Sequence, residues 1–187
     1  MSAHGHIEGS NKKVALLIAV LAALLALSET AGKSAQTDAL SYNIEASNLW
    51  AFFQAKTVRA TMVRTAAEGL EVGAAAVPAP PLKEALEKRL AAWKATAARY
   101  DSEPETREGR KELMERARAA EKKRDYALAA YHHFELSSAA LQLGIVLASA
   151  AVVTGVGVLI WIAVGLGVAG AAFAAIGHFA PTAVHLL

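Results

Sequence analysis

The chain has 187 residues, 55% apolar and 19% charged, with a mean hydropathy of +0.31. Lys and Arg number 19 against 17 Asp and Glu, so there is no strongly basic field to recruit nucleic acid. The absence of cysteine excludes disulfides, thiolate nucleophiles, cysteine zinc sites and iron–sulfur clusters.

Residues 1–13 read as a polar tail. His4, His6 and Glu8 are the only metal-ligating types close together there, and a mobile tail is the simpler reading. Residues 14–31 are expected to form a first membrane span. Its apolar core is short enough to suit a signal peptide, the alternative reading. Lys13 can snorkel and residues 28–31 can enter the interface, which lengthens the segment to a full span. Lys12 and Lys13 before this span favour a cytoplasmic N-terminus by the positive-inside bias.

Residues 32–135 carry most of the charge and read as an extramembrane helical stalk. A first helix is expected over 34–72, with Tyr42, Ala46, Leu49, Phe53, Ala60, Val63, Ala67 and Leu70 at three- and four-residue steps. Residues 73–80, with Pro78 and Pro80, read as an extended linker. A second helix follows over 81–100, with Leu82, Leu86, Leu90, Trp93, Ala97 and Tyr100 on one face. Ser102 followed by Pro104 and Glu105 resembles a capping box and sets the third helix at 104–135. A turn between helices two and three makes them antiparallel. Helix two then runs parallel to helix one, and the linker carries the chain back towards the membrane. Glu84/Lys88 and Glu112/Arg116 are expected as solvated ion pairs.

No acid, lysine or arginine occurs from residue 136 to the end. As one helix these about 52 residues would run roughly 78 Å, against a hydrocarbon core of about 30 Å, so the segment must fold back. Gly155-Val156-Gly157 is the natural turn, giving spans over 136–154 and 158–179 and a tail over 180–187. The expected fold is therefore all-α, with three transmembrane helices and a hairpin or coiled-coil stalk between the first and second spans.

The spans carry small-residue ladders that let helix backbones approach closely. These are Ala15/Ala19/Ala23, then Ala140/Gly144/Ala148, then Ala163/Gly167/Ala171/Ala175. Lys13, Glu29, Tyr131, His132 and His133 are expected at the membrane interface, with Glu29 bridged to Lys33. His178 and His185 follow the third span without a nearby acid in sequence. No ionisable residue lies centrally in a span, which argues against a proton relay.

In the stalk, Trp50, Phe53 and Gln54 are expected to face the interior, with Gln54 bonding across helices. Phe52, Lys56 and Trp93 complete the candidate packing or interaction set. A ligand groove lined by Trp50, Phe52 and Phe53 is the functional alternative.

Ser47-Asn48-Leu49-Trp50-Ala51-Phe52-Phe53-Gln54-Ala55-Lys56 resembles the Ser-x-x-Trp-Ala-aromatic-aromatic-Gln-Ala-Lys block of a bacterial membrane family, domain of unknown function four-three-three-seven. The short first apolar segment, the His-bearing approach to the second span and the Leu141-Gln142-Leu143-Gly144-Ile145-Val146-Leu147 stretch are similar too. The resemblance implies three spans with a large helical insert and no assigned activity. The family is bacterial, which sets the expected location in an inner membrane, and the cytoplasmic N-terminus expected from Lys12 and Lys13 places the stalk in the periplasm. Relatives tend to carry basic residues between the last two spans, where this chain has Gly155-Val156-Gly157.

The expected role is a non-enzymatic membrane scaffold, a homo-oligomer or an accessory subunit, whose stalk is an interaction surface. An oligomeric channel or transport-related pore is the alternative. The expected partners are the lipid bilayer and copies of the chain or a larger membrane complex. No catalytic residue, cofactor, metal or small-molecule substrate is identified.

Overall fold

In the computed structural model the described residues are 4–76 and 79–184, with side chains from Lys12 onward. They form four helices, α1 His4–Ala75, α2 Pro80–Asp101, α3 Arg110–Thr154 and α4 Val158–Phe179. Three of these, α1, α3 and α4, are long and apolar enough to cross a membrane. His4, His6 and Glu8, the metal-ligating types of the polar tail, have side chains outside the described residues, as do Pro78 of the linker and His185.

α1 is longer than expected because nothing in the sequence stops it. The first proline of the chain is Pro78, so an i→i−4 ladder can run from the tail through the first apolar segment and onward. The boundary expected near residues 31–34 is absent, and the linker shrinks from 73–80 to the few residues after Ala75. Pro80 and Pro81 then occupy the first turn of α2, where a missing N–H is harmless.

The chain divides into two compact units, Met1–Ser41 with Lys123–Leu187, and Tyr42–Lys122. In the second unit α2 runs antiparallel to α1. Lys94 Nζ lies 3.0 Å from Glu71, and Asp101, farther along α2, pairs with Arg64, farther back along α1. α3 is antiparallel to α1 as well, with Leu113, Ala117 and Ala120 packed on Ala46 and Leu49. The first and third helices are antiparallel as expected, but helix two runs antiparallel to helix one and not parallel to it. The proline linker is a tight hairpin, and α2 and the start of α3 follow one another along α1.

The break between them overturns the capping-box reading. Residues 103–107 make a single turn, closed by the Arg107 N–H on the Glu103 carbonyl at 2.9 Å. Arg107 adopts φ 58°, a left-handed conformation that ends the turn. α3 starts only at Arg110, with the Leu113 N–H bonded to the Gly109 carbonyl at 2.8 Å. It then runs without interruption to Thr154.

In the first unit, the starting stretch of α1 packs with α3 and α4. Two clusters mark the contact, Val14 with Ala148 and Ala163, and Ala35 with Ala130 and Phe134. Gly155, at φ +73°, makes the turn between α3 and α4, whereas Gly157 sits at φ −61° and needs no such freedom.

Gly109 is the residue that permits the α2–α3 break. A Cβ there would lie 2.7 Å from Ser102 Cα, a backbone atom that cannot swing aside. Gly109→Ala is expected to lower stability by about 1–3 kcal/mol, read as a reduced thermal unfolding midpoint. An unchanged midpoint would show that the break is looser than described.

Candidate functional site

Polar and aromatic side chains gather in the second unit, where α1 meets the break. Trp50, Phe52 and Phe53 are half-buried against the core of Ala46, Leu49, Leu113, Ala117 and Ala120. Trp50 donates its indole N–H to Glu121 Oε1 at 2.8 Å and packs edge-to-face on Phe53, centroids 5.4 Å apart. The indole is thus held by α3 rather than lining an open ligand groove. Gln54 is exposed, so the cross-helix bond expected of it is made by Trp50 instead. The reason is angular, because positions one residue apart on a helix diverge by about 100°.

Lys56 is the most deeply placed charge in this unit, with 7% of its surface exposed. Its ammonium lies 5.3 Å from the Phe52 ring centre and 5.4 Å from that of Tyr100. Glu103 and Glu108 approach it at 3.9 and 3.8 Å. A buried cation is tolerated where acids and aromatic faces replace lost water. Arg110 stacks on Phe53 at 5.4 Å and donates to Asp101 at 2.9 Å, and Asp101 also pairs with Arg64. Three helices are thereby fastened at one carboxylate. Trp93 stands apart from this group, half-buried on α2 beneath the Arg89 guanidinium.

The expected Glu84–Lys88 pair forms at 3.0 Å. Glu112 does not turn to Arg116. It accepts from the Ser102 hydroxyl at 2.6 Å and the Glu103 N–H at 3.1 Å, while Arg116 donates to the Arg107 carbonyl. The Ser102 hydrogen bond draws the Glu112 carboxyl below the ordinary glutamate range. Hydrogen bonds from Arg99 and then Thr106 lower Glu103 likewise.

In the first unit the expected ladders are only partly used. Ala148 and Ala163 are fully buried, Gly144 and Gly167 are buried, and Ala140 and Ala171 are half-buried. Ala175 is exposed, and the closely packed positions of α4 are Ala163, Gly167, Gly170 and Gly177. A Cβ on Gly170 would meet Leu141 at 2.7 Å, and one on Gly177 would meet His133 at 3.0 Å. Steps of three and four alternate because a straight four-residue ladder drifts around the helix. Ala15, Ala19 and Ala23 are all exposed, and α1 packs through Val14 and Leu21 instead.

The interface set also divides. Lys13 and His132 are exposed, and Tyr131 is half-buried. His133 is 1% exposed, so it does not belong to an exposed belt. Its Nε2 lies 3.1 Å from the Pro181 carbonyl, which accepts only if Nε2 carries the proton. The ring stacks on Phe173 at 6.3 Å. Glu29 accepts from Gln142 at 3.1 Å, replacing the expected bridge to Lys33. Ser28 and Ser137 share a buried hydrogen bond of 2.9 Å that was not anticipated, although each occupies an inward three-four position. His178 is exposed and packs edge-on against Phe179.

These features define an all-α chain with three apolar helices long enough to cross a bilayer and a charged unit made of the later part of α1, α2 and the start of α3. Residues 10–180 match the family described as Domain of unknown function (DUF4337), and the chain belongs to that family. No curated protein and no solved structure matches it significantly.

Because Glu103 and Glu112 ionise more readily in the folded chain, their stabilising contribution is present above the ordinary glutamate pKa. It is lost as pH falls through the lowered folded values. Acidification through that window is expected to reduce the unfolding midpoint, and Glu112→Gln should flatten the dependence. Identical pH profiles for the two proteins would contradict this role.

Proposed function

We propose that the chain is a multi-pass membrane protein acting as a non-enzymatic scaffold, with its second unit as the interaction surface. In this reading α1, α3 and α4 supply the spans, the N-terminus is cytoplasmic, and the second unit stands as a stalk on the periplasmic side of an inner membrane. The observation that carries the proposal is the outward face of α1 in the second unit. Positions 44, 48, 51, 55, 58, 62, 65, 69 and 72 alternate steps of four and three and hold no charge. Glu45, Lys56, Arg59, Arg64, Glu68 and Glu71 all fall on other faces of the same stretch. Ile44, Val58, Met62 and Val72 are 61%, 57%, 67% and 76% exposed.

A solvated helix face ordinarily carries charge, whereas an apolar three-four seam suits a neighbouring helix. A second copy is the favoured neighbour. Two chains in one bilayer present α1 in parallel, and an in-register pair sets Gln54 opposite Arg59 and Glu68 opposite Gly73. Neither flank then opposes like charges. An accessory role in a larger complex would use the same face.

The test is the mass of the full chain in gentle detergent by light scattering. Wild type is expected to be oligomeric, and Val58→Glu with Met62→Glu should reduce it towards one chain while helicity is retained. A wild-type monomer at all concentrations, or a variant with unchanged copy number, would overturn the self-association reading.

A further inference from the structure

We propose that a groove in the first unit binds the headgroup of a phospholipid bearing a primary ammonium and a phosphodiester. The inference rests on the membrane reading above. The groove, of about 430 Å³, lies between α1 and α3. Its walls approach closely where Gly32 faces Phe134, a Cβ at Gly32 lying 3.1 Å from Phe134 Cβ. The rim is polar, and Glu29, Lys33, Glu135 and Gln142 are all exposed.

Glu29 falls in the first expected span and Gln142 well inside the second, yet their hydrogen bond is open to the surroundings. Gln142 donates to that carboxylate, which offsets part of the cost of holding it at the edge of hydrocarbon. Lys33 enters no ion pair among the described residues, and Glu135 lies 3.6 Å from Nδ1 of the exposed His132. A groove with a polar rim beside a bilayer, with cation and anion both available on that rim, suits a headgroup carrying the complementary charges.

The order of the groups selects among headgroups. α1 and α3 are antiparallel here, Ser28 meeting Ser137 and Ala35 packing with Ala130. Moving away from the spans, the rim therefore presents Glu29 with Gln142, then Lys33 beside Ser138, then Glu135 beside Gln36. A phospholipid presents, in the same direction, an ester, a phosphodiester and an ammonium. Gln142 can donate at the ester level, Lys33 matches the phosphodiester, and Glu135 with the Gln36 carbonyl accepts ammonium N–H bonds. Tyr131 closes the outer end, where an amphipathic ring suits the headgroup layer. A choline headgroup lacks N–H donors and a glycerol headgroup lacks the positive charge.

The test is native mass spectrometry of the full chain in micelles with dioleoyl phosphatidylethanolamine, phosphatidylcholine or phosphatidylglycerol. Phosphatidylethanolamine is expected to bind about tenfold more tightly than either. Glu135→Gln should abolish that preference, and Lys33→Ala should weaken all three lipids alike. Equal binding of the three lipids, or a preference that survives Glu135→Gln, would overturn the proposal. Release of the chain from membranes by alkaline carbonate would instead sink the membrane reading. Loss of headgroup preference in a chain that stays in the bilayer sinks the groove alone.

Discussion

Packing throughout depends on one side of α1. Buried positions recur every seven residues in the first unit, at Val14, Leu21, Ser28 and Ala35, and Leu49 and Lys56 keep the same register in the second. Ala46, Ala60, Ala67 and Ala74 form a second seven-residue series three residues away from it, with half-buried Phe53 between Ala46 and Ala60. A strict seven-residue repeat keeps one stripe facing a partner helix over many turns. Alanine dominates the stripe, so the packed helices can come close and gain from many weak dispersion contacts. The cost falls on the few polar members, which must be partnered where they are buried. Ser28 finds Ser137, and Lys56 finds Glu103, Glu108 and two aromatic faces.

The break after α2 shows how the chain passes from one helix to the next along the same partner, α1, without changing direction. Asp101, Ser102, Glu103, Gly109, Arg110 and Glu112 form a compact knot of charge and backbone bonds. Glu112 lies in the first turn of α3, where an acid also favours the helix N-terminus. The knot binds the end of α2 to the start of α3, and Lys56 and Arg64 tie both to α1. The Trp50 block lies immediately beside it, with Phe53 under Arg110. Its residues serve packing first, which leaves the uncharged outer seam as the freer surface of this unit.

Much of the fold was legible because hydrophobic period and length are strong signals. The inward stripe through Ala46, Leu49, Phe53, Ala60 and Ala67 was readable, as were Leu113, Ala117 and Ala120 on α3. The topology between them was not. Ser102 and Glu105 carry a local helix-start pattern, but Arg107 in a left-handed conformation and Gly109 against Ser102 end it after one turn. Gly109 was the available clue. Side-chain partners were harder to foresee, since Glu112, Trp50 and His133 each choose a group distant in sequence. His132 and His133 shared one expectation yet point to different surroundings. Ala15, Ala19 and Ala23 show the complementary failure, a ladder of small residues left on the outside.

That both α2 and α3 return along α1 decides which faces remain open, and so underlies the scaffold reading. The chain has no cysteine, so introduced pairs would be the only thiols. Cross-linking of Glu71→Cys with Lys94→Cys by a short bismaleimide tests the arrangement most directly, because the native side chains meet at 3.0 Å across an antiparallel register. Rapid intramolecular cross-linking at this pair, and not between Glu71→Cys and Leu82→Cys, is the predicted result. Failure of the first pair with efficient cross-linking of the second would contradict it.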